Sequence, residues 1–397
     1  MTYSPEEVFK PGAFPNLTYV SRYSDSMGMT YEDRLRIALK KTGFLTYIAG
    51  SSKMGKTVLC RKVIPENSLV CISGADFNTN EDVWSVIARW TPMPIEGSLI
   101  SEVHTDGQLK TTTSNTFKST KEGVIAYFKQ NNKTLLIDDF QYTAPDRRQI
   151  LVQQLKDAIG KEFQVIVVSL PHRADEAIRL NPDLSGRISM INLKAWEDSD
   201  LKEIAKKGFE QLGVVCSDEL MDLLAQESLS SPQLLQSICL NIGILLQDKG
   251  PLEGAHLTKE LCYKAFRWTT SNFEYIDVAR ALKTGPVARG TKRNKYKSKS
   301  GKLEDLYELI LDSLATDPPV TSIKISALKE RINDLLDKNE VSTPSLVTIK
   351  NSLNHLLTIM NQKETELFKV FDIKDNNLYI LDPQFLFYLR WGDRSDE

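Results

Sequence analysis

Gly50-Ser51-Ser52-Lys53-Met54-Gly55-Lys56-Thr57 fills every fixed position of the pattern G-x-x-x-x-G-K-[ST], between the apolar run Phe44 to Ala49 and a stretch with helical spacing. Chance produces this pattern at about one position in 80,000, so the stretch predicts a strand, a phosphate-binding loop and a helix. Each fixed residue has a physical task. Gly50 and Gly55 let the backbone curl into a nest of N–H groups that runs through Ser51, Ser52, Lys53 and Met54. The helix opening at Lys56, Thr57 and Val58 adds unpaired donors and the positive end of its dipole. Lys56 is expected to reach the β- and γ-phosphates of a nucleoside triphosphate, and Thr57 to hold Mg2+.

A triphosphate loop needs a second place from which the metal is held. Thr134-Leu135-Leu136-Ile137-Asp138-Asp139-Phe140 supplies one, an apolar strand ending in two acids. A parallel strand buried on both faces reads as a continuous apolar run, and its carboxyl end is where ligands bind in an open α/β sheet. Asp138 is expected to hold Mg2+, directly or through water, and Asp139 to polarise the attacking water. Aspartate has a shorter arm than glutamate, so slow turnover of ATP to ADP and phosphate is expected.

Strands are expected at 44–49, 68–73, 134–138, 163–169 and 188–193. Helices are expected at 31–41, 56–64, 80–90, 120–131 and 147–160. That alternation predicts a parallel sheet, and right-handed crossovers bring the loop and Asp138 to the same sheet edge. Residues 1–30 read as an N-terminal arm contributing to the nucleotide pocket, and 31–195 as the ATPase core. Residues 91–119 read as an insertion of unassigned structure.

With 397 residues, the chain has material for two or three domains. A net charge of −2 excludes a global attraction to polyanions, so any nucleic-acid surface must be local. Five cysteines without a C-x-x-C pair, and four histidines, indicate neither a disulfide framework nor a zinc site. The first residues lack the basic and apolar regions of a signal peptide, and no apolar run is long enough to span a bilayer. A cytoplasmic protein with reduced thiols and no membrane partner is expected.

From about residue 17 to residue 245 the chain resembles AAA+ and STAND-type P-loop ATPases: origin-recognition initiators, transposition ATP-binding subunits and nucleotide-gated defence proteins. Tyr19-Val20-Ser21-Arg22 resembles their adenine-contacting segment, which implies nucleotide contacts for Tyr19, Val20 and Arg22. Phe163 to Ser169 resembles the sensor-1 strand, with Ser169 reporting the γ-phosphate and Arg173 following closely. Leu184-Ser185-Gly186-Arg187 resembles the place where an arginine finger is presented to a neighbouring subunit, which implies an ATP-dependent homo-oligomer. Ser230 to Leu235 lacks a sensor-2 arginine. Pro232 resembles the proline of STAND proteins that lies near adenine, and it fits equally well as a proline at the first position of a helix. The resemblance favours a nucleotide-gated switch over a fast motor.

Residues 196–277 read as a helical lid. From Val278 to Leu303 the chain carries nine basic residues and no acidic one, which predicts a flexible basic linker over 278–302 with Lys292, Arg293, Lys295 and Lys297 available to phosphates. Beyond it, helices at 303–315, 325–338 and 343–361, followed by a hairpin about Lys374-Asp375-Asn376-Asn377, predict a winged helix over 303–397. Its third helix would expose Ser345, Thr348, Lys350, Asn351 and Asn354, while Leu346, Ile349, Leu353 and Leu356 face inward; Lys374 would sit on the wing. Two functions follow. One is a slowly hydrolysing ATP switch that oligomerises and binds DNA in replication, transposition or anti-phage defence. The other is a STAND-like signalling or adaptor ATPase whose winged helix is a clamp or a protein-binding module.

Overall fold

The computed structural model describes residues 3–24, 28–94, 118–170, 178, 184–286, 293–338, 342–362 and 369–392. The chain divides into two compact units. A sheet unit holds Ser21–Ser51 and Gly55–Lys194; a helical unit holds Met1–Val20, Ser52–Met54 and Ala195–Glu397.

The sheet unit is built on five parallel strands, β1 (Leu45–Ala49), β2 (Leu69–Ser73), β3 (Thr134–Asp138), β4 (Val165–Ser169) and β5 (Ile188–Asn192), in the order β2-β3-β4-β1-β5. Every residue of β1 and β4 is buried, which is why their sequences run apolar without alternation. The period of two nevertheless sorts them. Leu135, Ile137, Val165 and Val167 enter one core, whereas Leu136, Ile166, Val168 and Ile48 enter another on the opposite face. Because all five strands point the same way, Ala49, Ser73, Asp138, Ser169 and Asn192 end at one edge. The helices Tyr31–Leu39, Lys56–Val63, Val83–Trp90, Lys121–Gln130 and Pro145–Ile159 fall where the periodicity predicts them, and no observed strand end departs by more than two residues. Most of the expected insertion, residues 95–117, lies outside the described residues, as does Arg173.

In the helical unit four helices, Asp198–Leu212, Asp218–Glu227, Pro232–Gln247 and Lys259–Thr270, share one continuous core with the carboxyl-terminal helices. Val8 and Phe9 belong to that core, so this part of the expected arm is packed. Pro5–Val8 is a short helix, and the Phe9 ring meets Phe209 edge-on at 5.4 Å. A Cβ on Gly208 would lie 2.2 Å from Phe9 Cε1, so this contact needs the glycine.

The basic stretch also differs from the tether expected. Its described part is the helix Ile276–Thr284 and a small hairpin of β6 (Lys295–Lys297) with β7 (Leu303–Asp305), which replaces the expected first turn of the following helix. Tyr296 is buried, and Arg293 donates to Asp305 at 2.7 Å while its guanidinium lies 4.8 Å from the centre of the Tyr307 ring. These anchors order what composition alone reads as flexible. The winged helix follows as expected: helices Leu306–Leu314, Ile325–Leu335 and Leu346–Gln362 stand with β8 (Ser322–Lys324), β9 (Phe371–Lys374) and β10 (Asn377–Ile380), in the order β8-β10-β9. Asp375 and Asn376, at φ 50° and 61°, form a two-residue turn in which both central residues are left-handed, so it suits the twist of the hairpin. Ile349, Leu353 and Leu356 are buried as expected, but Leu346 is 40 % exposed. It is the first residue of its helix and lies beyond the packed turns.

Candidate functional site

β1 delivers the chain to Gly50, and the loop turns into the helix Lys56–Val63 through Gly55, whose φ of 85° an L side chain would strain. Lys53 is also left-handed, at φ 61°. Val58 lies in the first turn of that helix. Lys56 is only 7 % exposed, and its ammonium donates to Gly50 O at 2.9 Å and Ser51 O at 2.7 Å. Burial lowers its pKa from 10.5 to about 8, against the opposing pull of Asp139 and Asp138. A cation with so little water around it gains more from an anionic ligand than an exposed lysine does.

β3 brings the acids. Thr57 Oγ1 donates to Asp138 Oδ2 at 2.6 Å, so the last residue of the loop motif and the first of the acid pair meet although 81 positions separate them. Burial raises the pKa of Asp138, and the Thr57 hydrogen bond acts in the opposite sense. A hydroxyl and a carboxylate side by side are hard oxygen donors of the kind Mg2+ takes together with water and phosphate oxygens. Among the described residues no group of three or more His, Cys, Asp and Glu side chains could hold a metal by itself.

Asp139 turns the chain with φ 51° and ψ 47°, a left-handed conformation that aspartate tolerates, and its N–H donates to Asp138 Oδ1 at 3.0 Å. Gly74, just past β2, makes room for this turn: a Cβ there would come within 2.6 Å of Asp139 O. Thr143 Oγ1 donates to Gly74 O at 2.9 Å and closes the arrangement. Gln141 is a residue that sequence reasoning passed over. Its side-chain N–H donates to Asp139 Oδ1 at 2.9 Å, and its carbonyl oxygen accepts from Ser169 Oγ at 3.3 Å and Leu170 N at 3.2 Å. Nothing in the periodicity marks Gln141 or Gly74, because both lie in short turns.

The remaining expected residues are placed as follows. Ser169, fully buried, ends β4 beside Gln141. Arg187 is exposed immediately before β5. Arg22 is buried, donates to Lys194 O at 3.1 Å and lies 5.2 Å from the centre of the Tyr31 ring. In the helical unit, the Tyr19 ring stacks on Phe14 at 5.8 Å and Val20 packs against the core. Pro232 opens its helix behind the cap Ser231, whose hydroxyl accepts from Leu234 N at 3.2 Å. On the winged helix Lys350, Asn351 and Lys374 are exposed, as is Lys295 on the basic hairpin; Lys297 pairs with Asp337 at 3.5 Å and Lys292 lies outside the described residues.

Residues 32–198 match the model of a family described as bacterial TniB protein, a span that covers most of the sheet unit and less than half of the chain. No curated protein matches the chain. Among solved structures it is similar to Cdc6p of Pyrobaculum aerophilum, at 12 % identity and a TM-score of 0.45 over 97 % of each chain. A Walker-type ATPase of Pyrococcus abyssi gives 14 % identity and a TM-score of 0.48 over 94 % of this chain and 99 % of that one. The ORC2 protein of Aeropyrum pernix gives 16 % identity and a TM-score of 0.46 over 94 % of each. The strand order, the loop after β1 and the acid pair after β3 give the core the fold of a P-loop nucleoside triphosphatase.

Proposed function

We propose that the chain binds ATP with Mg2+ and hydrolyses it slowly, using the nucleotide state as a switch for homo-oligomer assembly and DNA contact. The observation that carries this reading is the Thr57–Asp138 hydrogen bond, which joins the loop to the acid pair. The backbone of Gly50, Ser51, Ser52, Lys53, Met54 and Gly55 would cradle the phosphates, with Lys56 countering their charge and Val58 in the adjoining first turn. Thr57 and Asp138 would hold Mg2+, which when bound neutralises phosphate charge. Asp139 would accept a proton from water as the water attacks, and Ser169 would report the γ-phosphate. Tyr19, Val20, Arg22 and Pro232 would serve the adenine. Arg173 and Arg187 would stabilise developing phosphate charge, the latter in a neighbouring subunit.

DNA contact is supported by the exposed face of the reader helix, with Lys350 and Asn351, and by Lys374 on the wing. Lys292, Arg293, Lys295 and Lys297 belong to the same proposal, although the Asp305 pair leaves Arg293 less free than an exposed arginine. A second reading, a protein-binding winged helix in an adaptor ATPase, is favoured by one observation. Leu346 and Val347, 40 % and 68 % exposed, put two apolar side chains at the start of the reader helix.

Particle size measured without nucleotide, with ADP and with ATP·Mg2+, each with and without duplex DNA, tests both. The switch reading expects assembly with ATP and DNA affinity that falls steeply with salt. Assembly without DNA binding would replace it with the adaptor reading, and one size in every condition would remove both.

A further inference from the structure

Gln141 lies in the short turn Phe140–Tyr142 that follows the acid pair, buried to 9 % exposure. Its amide is committed at both ends. The carbonyl oxygen faces two donors, Ser169 Oγ and Leu170 N, so the NH2 group must face the other way, and it meets Asp139 Oδ1. The main-chain carbonyl of Gln141 accepts from Arg148, which ties the turn to the following helix. A single flat amide thus connects the end of β4 to the carboxylate expected to orient water.

The Ser169 hydroxyl has one proton and already has two acceptors, Gln141 Oε1 and Leu170 O, both at 3.3 Å. A γ-phosphate oxygen would be a third acceptor, and a charged one makes the stronger hydrogen bond. Donation to phosphate and donation to Gln141 therefore exclude each other. We infer that Gln141 is a positioning residue that couples Ser169 to Asp139, so that the presence of a γ-phosphate changes how firmly the Asp139 carboxylate is held. This rests on the proposed hydrolysis and adds to it how the site senses its substrate.

The test measures ATP turnover and ATP·Mg2+ affinity for the full chain and its variants, with thermal melting to verify folding. Gln141→Leu keeps the size of the side chain and removes both polar ends. It is expected to lower kcat about tenfold or more while KM and affinity stay within about twofold. In an Asp139→Asn background the same change should cost nothing further, since its effect runs through Asp139. Gln141→Glu, which retains the acceptor for Leu170 N, sets a second carboxylate beside Asp139. With the donor to Asp139 gone and the fold retained, it should lower kcat as Gln141→Leu does and leave KM within about twofold.

A Gln141→Leu protein that turns over like an active wild type would overturn the coupling alone. Equal losses in the wild-type and Asp139→Asn backgrounds, or a folded Gln141→Glu with the kcat of wild type, would overturn it as well. A wild type that releases no phosphate would overturn the hydrolysis reading, and the coupling with it.

Discussion

The sheet unit and the helical unit bury charge in different ways. In the sheet unit Lys56 is buried with main-chain carbonyls as its hydrogen-bond partners, and its pKa falls to about 8. In the helical unit Arg390 and Glu227, each 6 % exposed, pair at 2.6 Å, with Trp391 Nε1 donating to the same carboxylate at 2.6 Å. A buried cation that meets carbonyls and no described carboxylate within ion-pair distance is costly to desolvate and gains from an anionic ligand; a buried pair is satisfied and serves the fold. The contrast separates a residue proposed for binding from one kept for architecture.

The comparison would be broken most decisively at Lys56. Lys56→Ala should weaken ATP affinity about a hundredfold or more without lowering the melting temperature, as titration calorimetry and thermal melting would show. An unchanged affinity would make Lys56 an ordinary buried lysine. Arg390→Ala should do the reverse. It strands Glu227 and should cost about 3–5 kcal/mol of stability, visible in chemical denaturation, while leaving the nucleotide affinity of the folded protein alone.

A subtler effect concerns pH. With a folded pKa of about 8 against 10.5 unburied, Lys56 opposes folding fully below pH 8, and that cost is relieved as pH rises toward 10.5. Nucleotide binding runs the other way. Phosphate favours the protonated lysine, so affinity should fall about tenfold per pH unit above 8, with proton uptake on binding detectable in buffers of different ionisation heat. The smallest change belongs to the winged helix. Lys374→Ala should reduce the salt dependence of DNA affinity by about one unit of log–log slope if the wing touches a phosphate.

The sheet was legible in the sequence because its inner strands, Leu45–Ala49, Thr134–Asp138 and Val165–Ser169, are buried on both faces and announce themselves as apolar runs. Asp138 was legible for the same reason, since it ends such a run. The helical unit was less so. Pro5 to Phe9 is too short to show a period, and only the 5.4 Å contact with Phe209 reveals its place in the core. The basic stretch misled because composition counts charges and not their partners: Arg293 meets Asp305, twelve residues on, across a hairpin whose strands are three residues each. Gln141 escaped for a related reason. Its partners lie on β4 and in the acid pair, and neither is visible from its own turn.

Phosphate release from ATP in the presence of Mg2+, followed for wild type beside Asp138→Asn, tests the central claim most directly. If Thr57 and Asp138 hold the metal that hydrolysis requires, wild type releases phosphate slowly and the variant, folded and with its Thr57 contact altered, does so at background rate. Equal release by the two proteins, or none above background from wild type, would contradict it.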